Sequence, residues 1–464
     1  MPSLRTRNAA VLAKIQAAEG VAESLSASAD GILVENPQIS FSPQNTDTNE
    51  VTGSLDSRGP IVGGLQASMS FTVYLKGTGT PGVAPQWGKL LRACGFSETA
   101  NVTPLTGTTF AVTGTNTITD SANGLAPFTI GTVLHLSSPA NASRELRVTA
   151  SAAGSITVTN IDGSAPALTN ESSGGTFTLR RFIAGNAATA GTTTGFTAGT
   201  GFAATANLYR GMPVLIGGNP ATPSYASIID YTVGRLTTLG DAFASALSGT
   251  SVASIPAHVL YAAISSNIPS LTVGFYQDGV LYTLRDCRGS VSFEFPTAAP
   301  ARATFNFSGL FVAKTDAALP PNIAYDGTVP GVFRNSAMRV NRVPTALNSL
   351  SLSSQSNLVF PGDPNQSEGF TVPEITTRAM TGNINPLATL VATRDIMTAF
   401  RNGTAQPIIA RLTGGAAVVG NRIAVTIPSA LYTSYNAGDN NGLATEETAF
   451  FCQGQDSGAF LAVY

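Results

Sequence analysis

The chain has 464 residues, of which only 11% are charged, against about 25% in an ordinary soluble domain. Its hydrophobic fraction of 43% excludes a disordered chain, and its net charge of −2 argues against a protein that wraps nucleic acid, which needs a basic surface. With 47 glycines and few charged residues, the surface of the chain carries few charges that would repel another chain. This favours packing of chains against one another. At roughly 100–200 residues per domain, the length predicts two to four modules.

Residues suited to catalysis or metal binding are few and scattered. Neither His135 nor His258 has a second His, Cys or acid at metal-ligand spacing. Cys94, Cys287 and Cys452 are odd in number and far apart, so we expect buried free thiols in a protein made in a reducing cytoplasm. A Ser-His-Asp triad needs no fixed spacing, but no G-x-S-x-G motif occurs. We predict no enzyme and no catalytic, cofactor-binding or metal-binding residue.

The N-terminal segment, residues 1–35, leaves two possibilities open. The spacing of Val11, Leu12 and Ile15 suits a helix, yet an exposed arm could also pair as a strand. Lys14 interrupts the apolar run that a signal peptide would need, and no run is long enough to span a bilayer.

A long alternating strand follows, in which Leu65 to Leu75 present one apolar and one polar face. The segment from Trp87 to Cys94 then has helical spacing and ends at Gly95. Between them, Gly77–Gly82 matches the dinucleotide motif G-x-G-x-x-G. Pro81 within the motif, Pro85 just after it and the alternation of the preceding strand favour a flexible connecting loop instead.

The region 103–265 has a different texture and is predicted to be a β-rich insertion. Gly131 and Gly154 recur 80 residues later as Gly211 and Gly234, in similar surroundings. This indicates two small repeats, about 105–180 and 185–262. Because strands of one domain flank the region, we expect it to loop out where the chain ends lie close together.

Two similar series of elements lie outside the insertion. The first comprises residues 1–102 and 266–325, with a hairpin at Asp278-Gly279 and alternating strands to Phe307. The second, 326–464, repeats the order of extended strands, a short helix ending near Gly403, a hairpin and two strands. We therefore predict an all-β fold of two tandem β-sandwich or barrel domains, each with one short helix, the first split by the insertion. In this alignment Arg288–Phe293 corresponds to Arg422–Ile427.

The order of several sequence blocks resembles the major tail tube proteins of long, non-contractile bacteriophage tails. The blocks lie chiefly outside the insertion and are Arg58–Leu65, Gly77–Gly82, Trp87–Phe96, Tyr276–Tyr282, Arg288–Glu294, Thr304–Gly309, Glu374–Arg378, Gly382–Pro386, Gly420–Val425 and Gly438–Thr445.

The resemblance implies a virion protein, made in the host cytoplasm, that assembles into stacked rings around a channel for DNA delivery. It implies contact with tape measure, tail terminator and distal tail proteins, and makes residues 1–35 an arm reaching the next ring. Such rings usually have six-fold symmetry, so two tube domains per chain imply three chains per ring. Which acids line the lumen stays open; Glu294 and Glu374 are candidates.

Two alternatives remain. A secreted or virion-surface adhesive or decoration protein would share the low charge and β-rich texture. A carbohydrate-active enzyme would need two carboxylates across a cleft, and no acidic cluster stands out. The insertion is expected on the tube exterior, either binding host surfaces or glycans or serving as an inert spacer.

Overall fold

The computed structural model describes residues 4–48, 50, 51, 53, 55, 56, 58–415 and 418–464. Half of the chain is strand and 3% is helix, which confirms the predicted all-β fold class. Within the described residues, no helix is long and apolar enough to cross a membrane.

The described residues before the insertion form five strands and one short helix. The helix α1 ends at Ala93 with Cys94 as its C-cap, and Gly95 follows with a positive φ of 84°. The bounds are β1 Ala9–Ile15, β2 Gly31–Ile32, β3 Glu35–Thr46, β4 Ile61–Tyr74, α1 Gly88–Ala93 and β5 Thr99–Asn101.

The insertion folds as two separate sheets. The first, here the open insert sheet, has seven strands in the order β6-β12-β9-β10-β11-β8-β7. The second, the insert barrel, closes in the order β13-β14-β17-β16-β15-β18. The bounds are β6 Thr103–Gly107, β7 Phe110–Thr113, β8 Thr117–Asp120, β9 Val133–Ser137, β10 Arg144–Ala152, β11 Ser155–Thr159, β12 Phe177–Arg181, β13 Ile183–Thr192, β14 Gly195–Ala198, β15 Pro213–Gly217, β16 Ser224–Tyr231, β17 Leu236–Leu239 and β18 Val252–Ile255.

The two insert sheets share local geometry at the repeated glycines. Gly131 donates its backbone N–H to Val148, and Gly211 donates to Ile228, at 2.8 Å in both cases. Both glycines have φ between 80° and 90°, where a side chain would be strained. The repeat in the sequence thus coincides with a repeated turn, although only the second sheet closes into a barrel.

Most of the remaining strands belong with β1–β5 to one 17-stranded sheet, here the large sheet, and four form two separate two-stranded sheets. Asp395 caps the second helix by accepting a hydrogen bond from the Thr398 backbone at 2.8 Å. The bounds are β19 His258–Ala262, β20 Leu271–Gln277, β21 Val280–Pro296, β22 Arg302–Asp316, β23 Gly331–Val332, β24 Arg339–Val340, β25 Val343–Pro344, β26 Leu347–Ser353, β27 Asn357–Val359, β28 Glu374–Thr377, β29 Thr381–Pro386, α2 Ile396–Asn402, β30 Gln406–Leu412, β31 Gly414–Gly415, β32 Ile423–Asn440, β33 Leu443–Cys452 and β34 Phe460–Val463.

Two series of strands in the large sheet pair in the same order. The first β-unit runs β1-β20-β21-β22-β4-β3, and the second β-unit runs β24-β30-β32-β33-β29-β26. All these pairings are antiparallel. A single hydrophobic core with members from both units lies beneath them.

The pairings correct the expected alignment of the two units. Gln277 faces Val280 at the end of one hairpin, and Leu412 faces Ile423 at the end of the other. Ile423 therefore corresponds to Val280, so Arg422 is not the counterpart of Arg288. The similar local sequences suggest the wrong alignment because two residues separate the paired ends of the first hairpin, whereas residues 413–422 separate those of the second.

The part of the N-terminal segment that carries Val11, Leu12 and Ile15 is a strand rather than a helix. β1 pairs along its whole length with β20 of the same chain, and Ala10 to Ala13 are buried. The two strands β1 and β2 of the predicted arm are therefore built into the chain's own sheet.

The insertion joins the large sheet through a narrow neck. β5 leads into it, β19 leads out of it, and the two strands pair with each other. At this neck the Asn101 side-chain amide lies 3.1 Å from His258 Nε2. β19 also pairs with β34, which ties the neck to the second β-unit.

Candidate assembly edges

The two β-units are joined by strand pairing within the chain. The final residues of β21 pair antiparallel with β26, so that Phe293 faces Leu352 and Phe295 faces Leu350. All four side chains are at most 4% exposed and belong to the common core. We call this pairing the internal junction.

Hydrogen bonds reinforce the internal junction. Ser354 accepts the Val291 backbone N–H on its Oγ at 3.0 Å and donates its own N–H to the Val291 carbonyl at 2.9 Å. Thr297 donates its hydroxyl to the Leu347 carbonyl at 2.7 Å. The polar atoms at this buried edge are thus satisfied by the neighbouring unit.

Arg288 also spans the two units. Its guanidinium, on the first unit, donates to the carbonyl of Pro373 at 3.1 Å and pairs with Glu374 at 2.8 Å. It pairs with Glu19 of the N-terminal segment at 2.6 Å. A buried arginine with several acceptors fixes the position of all three segments.

Two strand edges of the large sheet have no partner among the described residues. β3 pairs only with β4, which leaves its other edge open along an exposed, mostly polar strand. β32 pairs with β30 up to Ala430, and from there to Asn440 only with β33. Unpaired N–H and C=O groups on such edges are templates for another strand.

A groove of about 750 Å³ lies beside the open edge of β3. Its walls are formed by Thr6 and Arg7 on one side and by Val34, Glu35 and Asn36 on the other. Side chains of β1 and β20 also line it.

A buried ion cluster fastens the insert barrel to the second β-unit. Both carboxylate oxygens of Asp241 accept from Arg411 at 2.7 Å, and Arg339 Nε lies 2.7 Å from the same carboxylate. Burial disfavours the charged form of Asp241, but the charge and hydrogen bonds of Arg411, the backbone hydrogen bond from Ser227 and the charge of Arg339 hold its pKa below the usual value. Asp241 and Arg411 therefore stay ionised although both are buried, while Arg339 remains partly exposed.

A second cluster ties in the open insert sheet. Glu145 pairs with Arg422 at 2.6 Å and accepts the Tyr225 hydroxyl at 2.8 Å. Arg422 also lies over the rings of Tyr225 and Tyr464. Burial raises the pKa of both tyrosines, so they remain neutral. The insertion is thus packed against the second β-unit, and Phe460 and Tyr464 contribute to the barrel core.

The histidines and cysteines are far apart and buried. Burial lowers the pKa of both His135 and His258 to about 4. Burial raises the pKa of all three thiols, which are free. Within the described ranges, no group of three His, Cys, Asp or Glu residues could hold a metal ion.

The glycine-rich segment Gly77–Gly82 is packed rather than free. Gly77 donates its N–H to the Asn421 side chain at 2.6 Å, and Gly79 donates to the Gly420 carbonyl at 3.1 Å. A Cβ on Gly77 or Gly420 would collide with the opposite backbone. The glycines thus permit close approach of two loops, and the expectation of a flexible loop is replaced by a loop contact.

The two candidate lumen acids are exposed and paired. Glu294 lies 3.3 Å from Arg302, and Glu374 is held by Arg288. They lie on different strands, and nothing brings them together into one site.

No protein-family model matches the chain, and no curated protein matches it at a significant level. The open edges were not singled out in the sequence. A signal exists for β3 alone, a polar strand that contains Pro37 and Pro43, because edge strands tolerate proline.

Proposed function

We propose that the chain is a structural virion subunit that polymerises edge to edge into stacked rings, forming a phage tail tube through which DNA passes. The observation that carries this proposal is the internal junction together with the two open edges. Within the chain, β21 of the first β-unit is joined to β26 of the second. The chain also leaves open the two equivalent edges, that of β32, which corresponds to β21, and that of β3, which corresponds to β26.

Such an arrangement is self-propagating. An interface between two different edges is heterologous, and repeated use of it produces a closed ring if the rotation per chain closes. Two units per chain then give three chains for a ring of six units. The role is structural rather than catalytic, and the insertion, fastened to the second unit, forms part of the tube exterior.

Electron microscopy and mass measurement of the purified chain test the proposal. We expect hollow tubes or stacked rings with a mass of three chains per ring. Dispersed monomers at high protein concentration would favour the decoration or adhesive alternative. Rings of six chains would contradict the pseudo-six-fold arrangement while leaving tube formation intact.

A further inference from the structure

The groove beside β3 has a counterpart in the second β-unit, and that counterpart is filled. It is occupied by the turn that joins β21 to β22. Thr297 in this turn donates its N–H to the Asn348 carbonyl at 2.8 Å, and Ala298 donates to the Phe333 carbonyl at 3.0 Å. The turn is therefore held between the start of β26 and the segment that precedes β24.

The pairings show which residues form the same walls in the first unit. Ala13 of β1 faces Val273, as Val340 of β24 faces Ile408. Counting back along each segment places Thr6 where Phe333 stands. On the opposite wall of the groove, β3 and β26 are equivalent strands. Aligning their inward-facing residues places Val34 at the position that Leu347 occupies in the second unit. Thr6 and Val34 are both walls of the 750 Å³ groove.

The same comparison identifies the turn that would fill the groove. Phe307 of β22 and Phe450 of β33 are both buried and occupy equivalent places in the two sheets. The counterpart of the β21–β22 turn is then the β32–β33 turn, near Asn441 and Gly442. Leu443 at this turn is 57% exposed.

We propose that the β32–β33 turn of a second copy of this chain enters the groove, while the open edge of β32 pairs antiparallel with β3. The proposal deepens the proposed function, on which it rests for the joining of copies edge to edge. Transferring the register of the internal junction places Ser40 of one copy opposite Asn436 of the next. This pairing between copies covers Leu443 and brings Asp439 towards Arg7, which lines the groove.

Disulfide trapping in the full chain tests this register. The variant Ser40→Cys/Asn436→Cys places two thiols on residues that face each other across strands, within the Cα separation of about 4–7 Å that a disulfide allows. We expect most of the oxidised protein to run as covalent oligomers on a non-reducing gel. The native cysteines are buried, which keeps the background low.

The matched control is Ser40→Cys/Asn440→Cys. It uses the same two strands, but four residues of displacement separate the thiols by roughly 13 Å, which is beyond disulfide reach. Equal cross-linking of both variants, or none in a folded variant that still assembles, would overturn the proposal. Tube formation without the cross-link would support the proposed function and contradict the proposed pairing of β32 with β3. Cross-linked closed oligomers without tubes would support the interface and contradict the tube.

Discussion

The two β-units have the same strand order but differ in what covers them. In the second unit the internal junction covers β26, the insert barrel packs against the unit and the neck strand β19 pairs with β34, although the last part of β32 keeps an open edge. The first unit leaves β3 and the adjoining groove uncovered. The same strand order thus occurs once with its edge buried, at the internal junction, and once with its edge open, at β3. The buried edge therefore indicates what kind of strand the open edge is suited to bind.

The largest expected effect concerns the ion cluster that covers the second unit. Asp241→Asn removes the charge that compensates Arg411 and Arg339 and leaves two guanidinium groups beside a neutral amide. We expect a loss of about 3–5 kcal/mol in the free energy of unfolding, because uncompensated buried charges are costly. Urea titration followed by circular dichroism measures it. The exposed Asp230→Asn, whose carboxylate lies 3.9 Å from Arg210, is the control and should change stability by less than about 0.5 kcal/mol.

The next test compares the internal junction with its open counterpart. Phe295→Ala removes a fully buried ring that packs against Phe333 and Phe293, so we expect a loss of about 3–4 kcal/mol in unfolding free energy. The counterpart of Phe295 at the open edge is Asp439. Asp439→Ala in the unassembled chain should cost less than about 0.5 kcal/mol. Similar losses in the two variants would mean that the edges are not equivalent.

Acid should weaken the neck of the insertion. The unfolded chain protonates His258 near pH 6.5, whereas burial holds the folded-state pKa at about 4. The unfolded state therefore binds more protons in this interval, and stability is lost as the pH falls from about 6.5 to 4, by about 3 kcal/mol. His258→Gln should flatten the pH dependence measured by urea titration. Part of the remaining slope belongs to His135, whose pKa is lowered in the same direction, and near pH 4 part belongs to carboxyl groups with lowered pKa values such as that of Asp241. An unchanged slope would contradict the assignment.

Local patterns predicted much of the fold. Alternation from Leu65 to Leu75 identified β4, and the spacing around Ile396 with Gly403 at its end identified α2. β1 stayed ambiguous because both faces of Ala10 to Ala13 are buried, so no alternation appears in the sequence. A strand buried on both faces cannot be told from a helix by periodicity alone.

Long-range features could not be predicted in the same way. The Arg288 and Arg422 segments look alike locally, but their register is fixed by pairing with strands far away in the chain. The open edges were missed for the same reason, since an edge is defined by a missing neighbour and not by its own residues. Burial of Asp241 likewise depends on Arg411, 170 residues later.

The smallest expected effect is the difference in unfolding free energy between losing a hydrogen bond at the internal junction and losing one at the open edge of β3. Ser354→Ala removes the acceptor of the Val291 N–H inside the internal junction, and we expect a loss of about 1–2 kcal/mol because a buried donor is left unsatisfied. Ser40→Ala on β3 is the matched change. Its hydroxyl shares an exposed hydrogen bond of 2.7 Å with Ser68, which water can replace, so the loss should stay below about 0.5 kcal/mol. Chemical denaturation of both variants as unassembled chains measures the difference. If Ser40→Ala proved as costly as Ser354→Ala, the edge of β3 would already be covered within the single chain and would not be available to a second copy.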